Sequence, residues 1–429
     1  MRRVTKRFSC IIGNRGRESQ GEKCGFRGSG PFSRRNTVPD RESNDMRRRF
    51  LTVPALAAVL VSLTSPDAQA ATLRVGTGQT YTVPSQAAAV AQDGDTVEIA
   101  AETYTGDVAV WRANRLTLRG VGGTVVLDAE GHAAEGKGLW VIKGDDTTVE
   151  DITFTGAAVP DHNGAGIRQE GRGLTVRHCT FRDNEDGILA GDSPQSDILV
   201  EACEFDHNGQ GDGYSHNMYI NHVRRFTLRG CWSHNAHRGH DVKSRALATD
   251  ILYNRISDDD ASDTSYLIDL PNGGLCRIIG NILRRGLNAQ NAVLLSYAEE
   301  GASNPRQSLS VIANTFVTDR PTSTFLRTAG HPTLRVLDNL FLGPGTPPGG
   351  SAGDISHNRT APPADFRDAA HGDYHLAAHS PARAAGIPPG LDSDGQDLTP
   401  RSEYAAPTGL APRPTSPTPD LGAYGRVAP

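Results

Sequence analysis

Long apolar runs are missing from this chain. The one hydrophobic stretch near the N-terminus, Phe50 to Thr64, is short and interrupted, which excludes a membrane-spanning helix there. Aromatic residues are scarce, 6% of 429 residues, while glycine numbers 47. That balance disfavours helices and favours many short strands joined by tight turns. The six cysteines include no Cys-x-x-Cys pair and no zinc-type spacing. Two of them, Cys10 and Cys24, lie in a patternless leading segment, which leaves Cys179, Cys203, Cys231 and Cys276. A surplus of positive charge is absent as well. The formal net charge is −5, but the first 70 residues hold 14 Lys and Arg against 6 Asp and Glu, so the remainder holds 30 against 43 and carries −13. This argues against nucleic acid as the general partner; an anionic polymer would need a local basic site.

The leading segments read as targeting rather than fold. Met46-Arg47-Arg48-Arg49, the apolar stretch from Phe50 and the small residues Ala68-Gln69-Ala70 make a signal peptide over 46–70. The mature chain then starts near Ala71, and the protein is expected to be periplasmic or secreted, with no membrane span. Arg47-Arg48-Arg49-Phe50-Leu51 is similar to a twin-arginine export signal. Residues 1–45 are Arg-rich and patternless, a disordered extension or one translated from a start codon too far upstream.

What the chain does contain is a recurring phrase. An apolar strand, a small residue and an apolar closure return again and again, as in Leu174 to Phe181, Ile198 to Phe205 and Ser310 to Phe316. The marked position runs Ile152, Cys179, Cys203, Cys231, Asn254, Asn281, Asn314, Asn339, at intervals of 27, 24, 28, 23, 27, 33 and 25 residues. Periods of this size signal stacked units, and units built of short strands make a β-solenoid. Asparagines at one register predict an inward ladder, each amide bonding its copy one coil away. Cysteine fills the earlier rungs as a small, weakly polar side chain. Rungs about 4.8 Å apart also fall within disulfide range.

The repeat resembles the right-handed parallel β-helix of the pectate-lyase-like superfamily, over roughly the whole mature chain. The resemblance implies an all-β fold, a right-handed parallel β-helix (β-solenoid) with an N-terminal helical cap and a C-terminal closing segment. Val75 to Tyr81, the apolar helix of Pro84 to Ala91 and the strand entered at Asp93 are similar to the family's N-terminal cap, which covers an open sheet edge. Asp373 to Leu376, Ser380-Pro381-Ala382, Ala385-Gly386 and Asp420 to Tyr424 resemble a closing motif common in bacterial β-helix proteins. The expected organisation is a capped helix over 71–342, a Gly/Pro-rich loop over 343–363 and a closing segment over 364–429.

Titratable residues crowd into Gly213 to Asn221 and His237 to Arg245. Both stretches alternate polar and apolar residues as half-buried strands do. With Met218, Ile220 and Val242 inward, Asn217, Tyr219, Asn221, Asp241, Lys243 and Arg245 face out. His216, His237 and His240 stand at the rim, and Asp269 projects from the next coil. Such side chains on adjacent coils lie about 5 Å apart.

Superfamily enzymes mostly cleave or epimerise uronic-acid polysaccharides along this face, so the resemblance implies an anionic polysaccharide as partner. Their lyase reaction removes the C5 proton and expels the C4 oxygen. It needs a positive group at the carboxylate, a base and an acid. Lys243 is the expected base and Arg245 the bidentate carboxylate contact. Tyr219 or His240 is the expected proton donor, and His216 suits either role. Asn217, Asn221, His237, Asp241 and Asp269 are the expected sugar contacts. In chondroitinase B-like and alginate lyases of this fold, a lysine and an arginine from different coils act beside calcium. Here Lys243 and Arg245 share a strand, and Asp241 and Asp269 are the candidate calcium ligands, with Asp258-Asp259-Asp260 and Asp263 as a second acidic group. The combination points to a monomeric, exported polysaccharide lyase. A C5-epimerase, a glycoside hydrolase using Asp241 with Asp269, and a non-catalytic carbohydrate-binding surface protein share the same face.

Overall fold

A computed structural model describes residues 70–350 and 353–426. Apart from Ala70, the expected signal peptide and the leading extension lie outside the described residues. From Thr72 to Thr360 the chain winds through three parallel sheets of 12, 11 and 10 strands, each coil giving one strand to each sheet in turn. Leu174–Arg177, Thr180–Arg182 and Asp186–Ala190 make one such coil. Parallel strands joined by crossovers of this kind wind right-handed.

The twelve-stranded sheet shows why this sequence stacks. Val97, Leu118, Val149, Val176, Val200, Leu228, Ile251, Ile278, Val311 and Val336 fall in one register and are all buried. One residue along, the outward column reverses sign from coil to coil through Arg74, Glu98, Arg119, Glu150, Arg177, Glu201 and Arg229. Arg119 pairs with Glu98 at 2.6 Å, and Glu201 holds Arg229 at 2.7 Å and Arg177 at 3.1 Å. Exposed pairs of this kind are each worth at most about 1 kcal/mol. Their larger effect is on register, because a one-residue slip would bury every charge in the column.

A two-residue turn joins the first sheet to the second. Its first residue is left-handed: Asp151, His178, Ala202, Tyr253, Ala313 and Asp338 have φ between 50° and 59°, and Gly230 and Gly280 take the same place. Its second residue points inward and forms the expected ladder. The amides of Asn254, Asn281 and Asn314 donate upward to Asn281, Asn314 and Asn339 at 3.0, 2.9 and 3.0 Å, and Asn358 adds a further rung at 2.9 Å. Below them the backbone N–H groups of Cys179 and Cys203 reach the sulfurs of Cys203 and Cys231 at 3.4 and 3.3 Å. Among the described residues all four cysteines are free thiols, so the rungs are stacked rather than bridged. The few aromatics are spent inside, with Phe154, Phe181 and Phe205 stacked at 4.9 and 4.8 Å.

At the N-terminal end the helix is shorter than expected, Pro84–Ala88, and buries Pro84 and Ala87. The Gly/Pro-rich stretch holds the strands Gly345–Thr346, Asp354–Ser356 and Arg359–Thr360, so the coil continues beyond residue 342. The closing segment runs back along the flank of the solenoid. Its two hairpins pair Phe366–Asp368 with Asp373–Leu376 and Ser402–Tyr404 with Leu410–Pro412. The Gly409 N–H reaches the Gly230 carbonyl at 2.7 Å, and the Arg401 N–H reaches the Tyr253 hydroxyl at 3.0 Å. The cause is apolar: Ile282, Val317, Leu340 and Leu342 pack against Phe366, Tyr374, Leu376, Tyr404 and Leu421. That packing takes up the eleven-stranded side and leaves the ten-stranded sheet to present a polar face. Among the described residues no helix is long and apolar enough to cross a membrane.

Candidate functional site on the ten-stranded sheet

Register along the ten-stranded sheet builds one outward column: Arg168, Leu189, Tyr219, Lys243, Asp269, Ser296 and Arg327. Lys243 is at its centre. Its Nζ lies 3.9 Å from Asp269 Oδ2 and 3.7 Å from Glu300 Oε1, and sits 5.7 Å from the Tyr219 ring centre. Arg245, just past the strand Val242–Ser244, points to the same groove. It donates from Nε to the Tyr219 hydroxyl at 3.1 Å, from Nη1 to Asn272 Oδ1 at 2.6 Å and from Nη2 to Glu300 Oε2 at 2.6 Å. Asp269 is buried and accepts from the Ser296 hydroxyl at 3.0 Å. Burial pushes its carboxyl up to about 6, against the pull of the Lys243 charge.

The histidines form the wall. His216 and His240 stack at 4.6 Å, and Tyr266 meets His240 edge-on at 5.1 Å. His216 Nδ1 accepts the His240 backbone N–H at 3.0 Å, and His240 Nδ1 accepts that of Tyr266 at 3.3 Å. A nitrogen that accepts carries no proton, so in both neutral rings the hydrogen sits on Nε2. His240 turns that edge toward Asp269, with Nε2 3.6 Å from Oδ2. His240 is therefore a donor toward the groove; His216, 1% exposed and with its free lone pair on Nδ1 already accepting the His240 N–H, does not fit the role of base.

Burial, and then the neighbouring His240 and Lys243 charges, hold His216 well below the usual imidazole range. Burial followed by Lys243 brings His240 down to about 3. The unfolded chain would take up these protons below about pH 6.5. A depressed folded value means stability that is present above 6.5 and lost as pH falls toward 3. Asp269, raised to about 6, works in the opposite sense. The histidine share is isolated by comparison: between pH 6.5 and 5 the wild type is expected to lose about 2 kcal/mol more than His240→Gln, read from urea midpoints.

Four expected contacts stand outside this cluster. Asn217 and Asp241 are 0% exposed. The strands begin only at Met218 and Val242. The residue before each belongs to the turn between sheets, where the two-residue alternation breaks phase and the side chain swings inward. There they continue a second ladder, Asn184 to Asn208 at 2.9 Å, Asn208 to Asn217 at 2.9 Å and Asn217 to Asp241 at 3.0 Å. His237 lies on an exposed loop bonded to Asp263 at 3.0 Å. Asn221 is half-buried past the end of its strand and accepts the His222 N–H at 2.9 Å. The second acidic group is dispersed in use: Asp259 caps the Ala261 and Ser262 N–H groups, Asp260 pairs with Arg284, and Asp258 is buried.

The two candidate calcium ligands, Asp241 and Asp269, are not brought together on this face. Asp241 is inside the coil, and Asp269 and Glu300 both lie within 4.0 Å of an ammonium. Among the described residues no group of three or more His, Cys, Asp or Glu side chains is placed to hold a metal ion. The residues that sequence reasoning missed are Tyr266, Asn272, Ser296, Glu299, Glu300 and Arg327. Ser296 and Arg327 sit on strands recognisable by their pattern, and Tyr266 stands two residues before the strand Ile268–Leu270. Glu299 and Glu300 come from the loop after Val293–Tyr297, where no periodic signal marks them. A cleft of about 1020 Å³ lies away from this face, by Arg255, Arg284 and Tyr374. Its guanidiniums are already engaged, Arg284 by Asp260 and Asp319 and Arg255 by the Gly372 carbonyl.

The family described as "Right handed beta helix region" matches residues 116–283. No curated protein matches the chain. Among solved structures, pectate lyase Pel9A is similar with a TM-score of 0.60 at 14% identity, covering 83% of this chain and 96% of that one. A pectin methylesterase from Aspergillus niger covers 67% of this chain and 89% of its own at 11% identity, with a TM-score of 0.37. The chain therefore has the right-handed parallel β-helix fold that pectate lyase Pel9A also displays.

Proposed function

We propose that this protein is an exported enzyme that cleaves a uronate-containing polysaccharide by β-elimination. One observation carries the reading: Lys243 and Arg245 already converge on a single carboxylate, that of Glu300, at 3.7 and 2.6 Å. A uronate needs that arrangement, because its carboxylate must be neutralised before the C5 proton can leave. A pectate lyase on the same fold makes acidic glycans the class to test.

In the reaction Arg245 binds the carboxylate and Lys243 removes the C5 proton. Lys243 becomes a base by first passing its ammonium proton to Asp269, 3.9 Å away and with its carboxyl near 6. The Tyr219 hydroxyl or the Nε2–H of His240 protonates the departing C4 oxygen. Export rests on the Met46–Ala70 signal pattern. The test uses the chain from Ala71 onward with a panel of uronans. Elimination creates an unsaturated uronate and a rise in absorbance at about 235 nm. Proton exchange with solvent without shortening would instead identify an epimerase.

A hydrolase reading has one observation in its favour. Asp269 is raised to about 6 while Glu300 is held low, its burial outweighed by the Arg245 hydrogen bond. Two carboxyls pushed apart in this way suit an acid and a base. New reducing ends without the absorbance change would select it.

A further inference from the structure

Of the two carboxylates beside Lys243, only one is free to leave. Asp269 is buried in the sheet and held by Ser296. Glu300 stands on the outside. Its side chain is 52% exposed, against 13% for Lys243 and 21% for Arg245, so it covers both cations from the solvent side. The loop that carries it, 299–303, is exposed throughout and turns at Gly301, where φ is +117°. Its backbone is tied by the Glu300 N–H to the Pro271 carbonyl at 3.2 Å, the Gly301 N–H to the Ala298 carbonyl at 3.1 Å and the Ser303 N–H to the Gly301 carbonyl at 2.9 Å, and Ser303 accepts the Asn272 amide at 2.5 Å. Glu299 anchors its start, accepting from the Tyr266 hydroxyl at 3.2 Å and the Ser296 hydroxyl at 3.5 Å and pairing with Arg327 at 3.4 Å, so the part free to swing away is the Glu300 side chain.

We propose that Glu300 is a resident stand-in for the substrate's carboxylate, and that the site selects acidic sugars by exchanging one carboxylate for the other. The inference rests on the acidic-glycan reading above. A uronate that displaces Glu300 gives Arg245 Nη2 and Lys243 Nζ the same charge and the same acceptors they lose. A neutral sugar offers a hydroxyl in place of an anion and leaves two cations under-compensated in a half-dry groove. Discrimination then comes from what the wrong ligand fails to replace, with no clash needed. The rest of Arg245's contacts, to Tyr219 and Asn272, stay in place during the exchange, so the guanidinium is already aimed.

The experiment is calorimetric titration of wild type and Glu300→Gln with trimers of galacturonate, mannuronate and glucuronate, and with neutral galactotriose. Melting temperature serves as the check on folding. Glu300→Gln removes the competing charge and is expected to bind its preferred uronate trimer up to about fivefold more tightly, the worth of one partly exposed ion pair. The neutral trimer should show no gain of that size. Where a uronan is turned over, KM should fall by a similar factor. A wild type that binds a uronate trimer with no gain in Glu300→Gln overturns the exchange alone, as does a collapse of kcat in that variant, which would make Glu300 a catalytic group. Failure of both proteins to bind any uronate overturns the substrate reading along with the exchange.

Discussion

Lys243→Met is expected to lower kcat on a uronan by roughly a hundredfold to ten-thousandfold, the range for loss of a general base. The KM should change by no more than a few fold, because Arg245 still holds the carboxylate. Methionine keeps the apolar stem that packs beside Tyr219, so the groove keeps its shape and only the amine is removed. Lysine could also act purely as a charge, and the two roles separate by chemical rescue. With Lys243→Ala, a small primary amine in solution should restore part of kcat if Lys243 carries the proton, and inorganic cations should not. Turnover within a few fold of wild type in Lys243→Met would remove Lys243 from the chemistry and shift the proton transfer to Asp269.

The solenoid was legible because its turn has a single inward slot. A residue placed after a left-handed residue, between two sheets, must fill the same volume on every coil, so Asn254, Asn281, Asn314 and Asn339 recur and can be counted. The Arg and Glu column of the first sheet was equally present in the letters, but its alternation appears only when coils of unequal length are set in register. Lys243, Tyr219 and Arg245 were found because they lie on or just past strands where alternate residues share a face. Asn217 and Asp241 sit one residue before those strands, where a turn reverses the phase, and no pattern of polar and apolar letters marks that boundary. Glu300 was hidden for another reason: it reaches Arg245 across 55 residues of sequence from a loop, and loop shape is set by backbone turns rather than by periodicity. The closing segment shows the limit of motif reading. Its Asp420 to Tyr424 stretch is recognisable, but its path along the flank is dictated by apolar residues of the second sheet that need cover.

Arg285→Met is expected to destabilise the fold by about 3–5 kcal/mol, the scale for removing one partner from a buried charge cluster. Arg285 is 0% exposed. Its guanidinium donates to the carbonyls of Thr264 at 3.3 Å, Asn291 at 3.1 Å and Val293 at 3.1 Å, and to that of Ser265. Those carbonyls flank Tyr266 and begin the strand that carries Ser296, so one buried side chain aligns two coils of the candidate site. Its charge is balanced by Asp241 and Asp258. Burial and the adjacent carboxyl raise Asp241 well above the usual range, and burial raises Asp258 despite Arg285. Asp241 Oδ2 and Asp258 Oδ2 are both buried without a hydrogen-bond partner, and each carboxyl's charge opposes the other's, so one proton held by the pair leaves one negative charge for the guanidinium. Without Arg285 that last charge has no partner, and the pair must hold both protons or unfold. Carboxyls raised further in the folded state lend stability at low pH and lose it as pH rises through their folded values. The deficit of Arg285→Met against wild type should therefore be smaller at pH 5 than at pH 8, measured from urea midpoints at each. A deficit equal at both would mean that the carbonyl contacts alone account for the loss and that the carboxyl pair is balanced without Arg285.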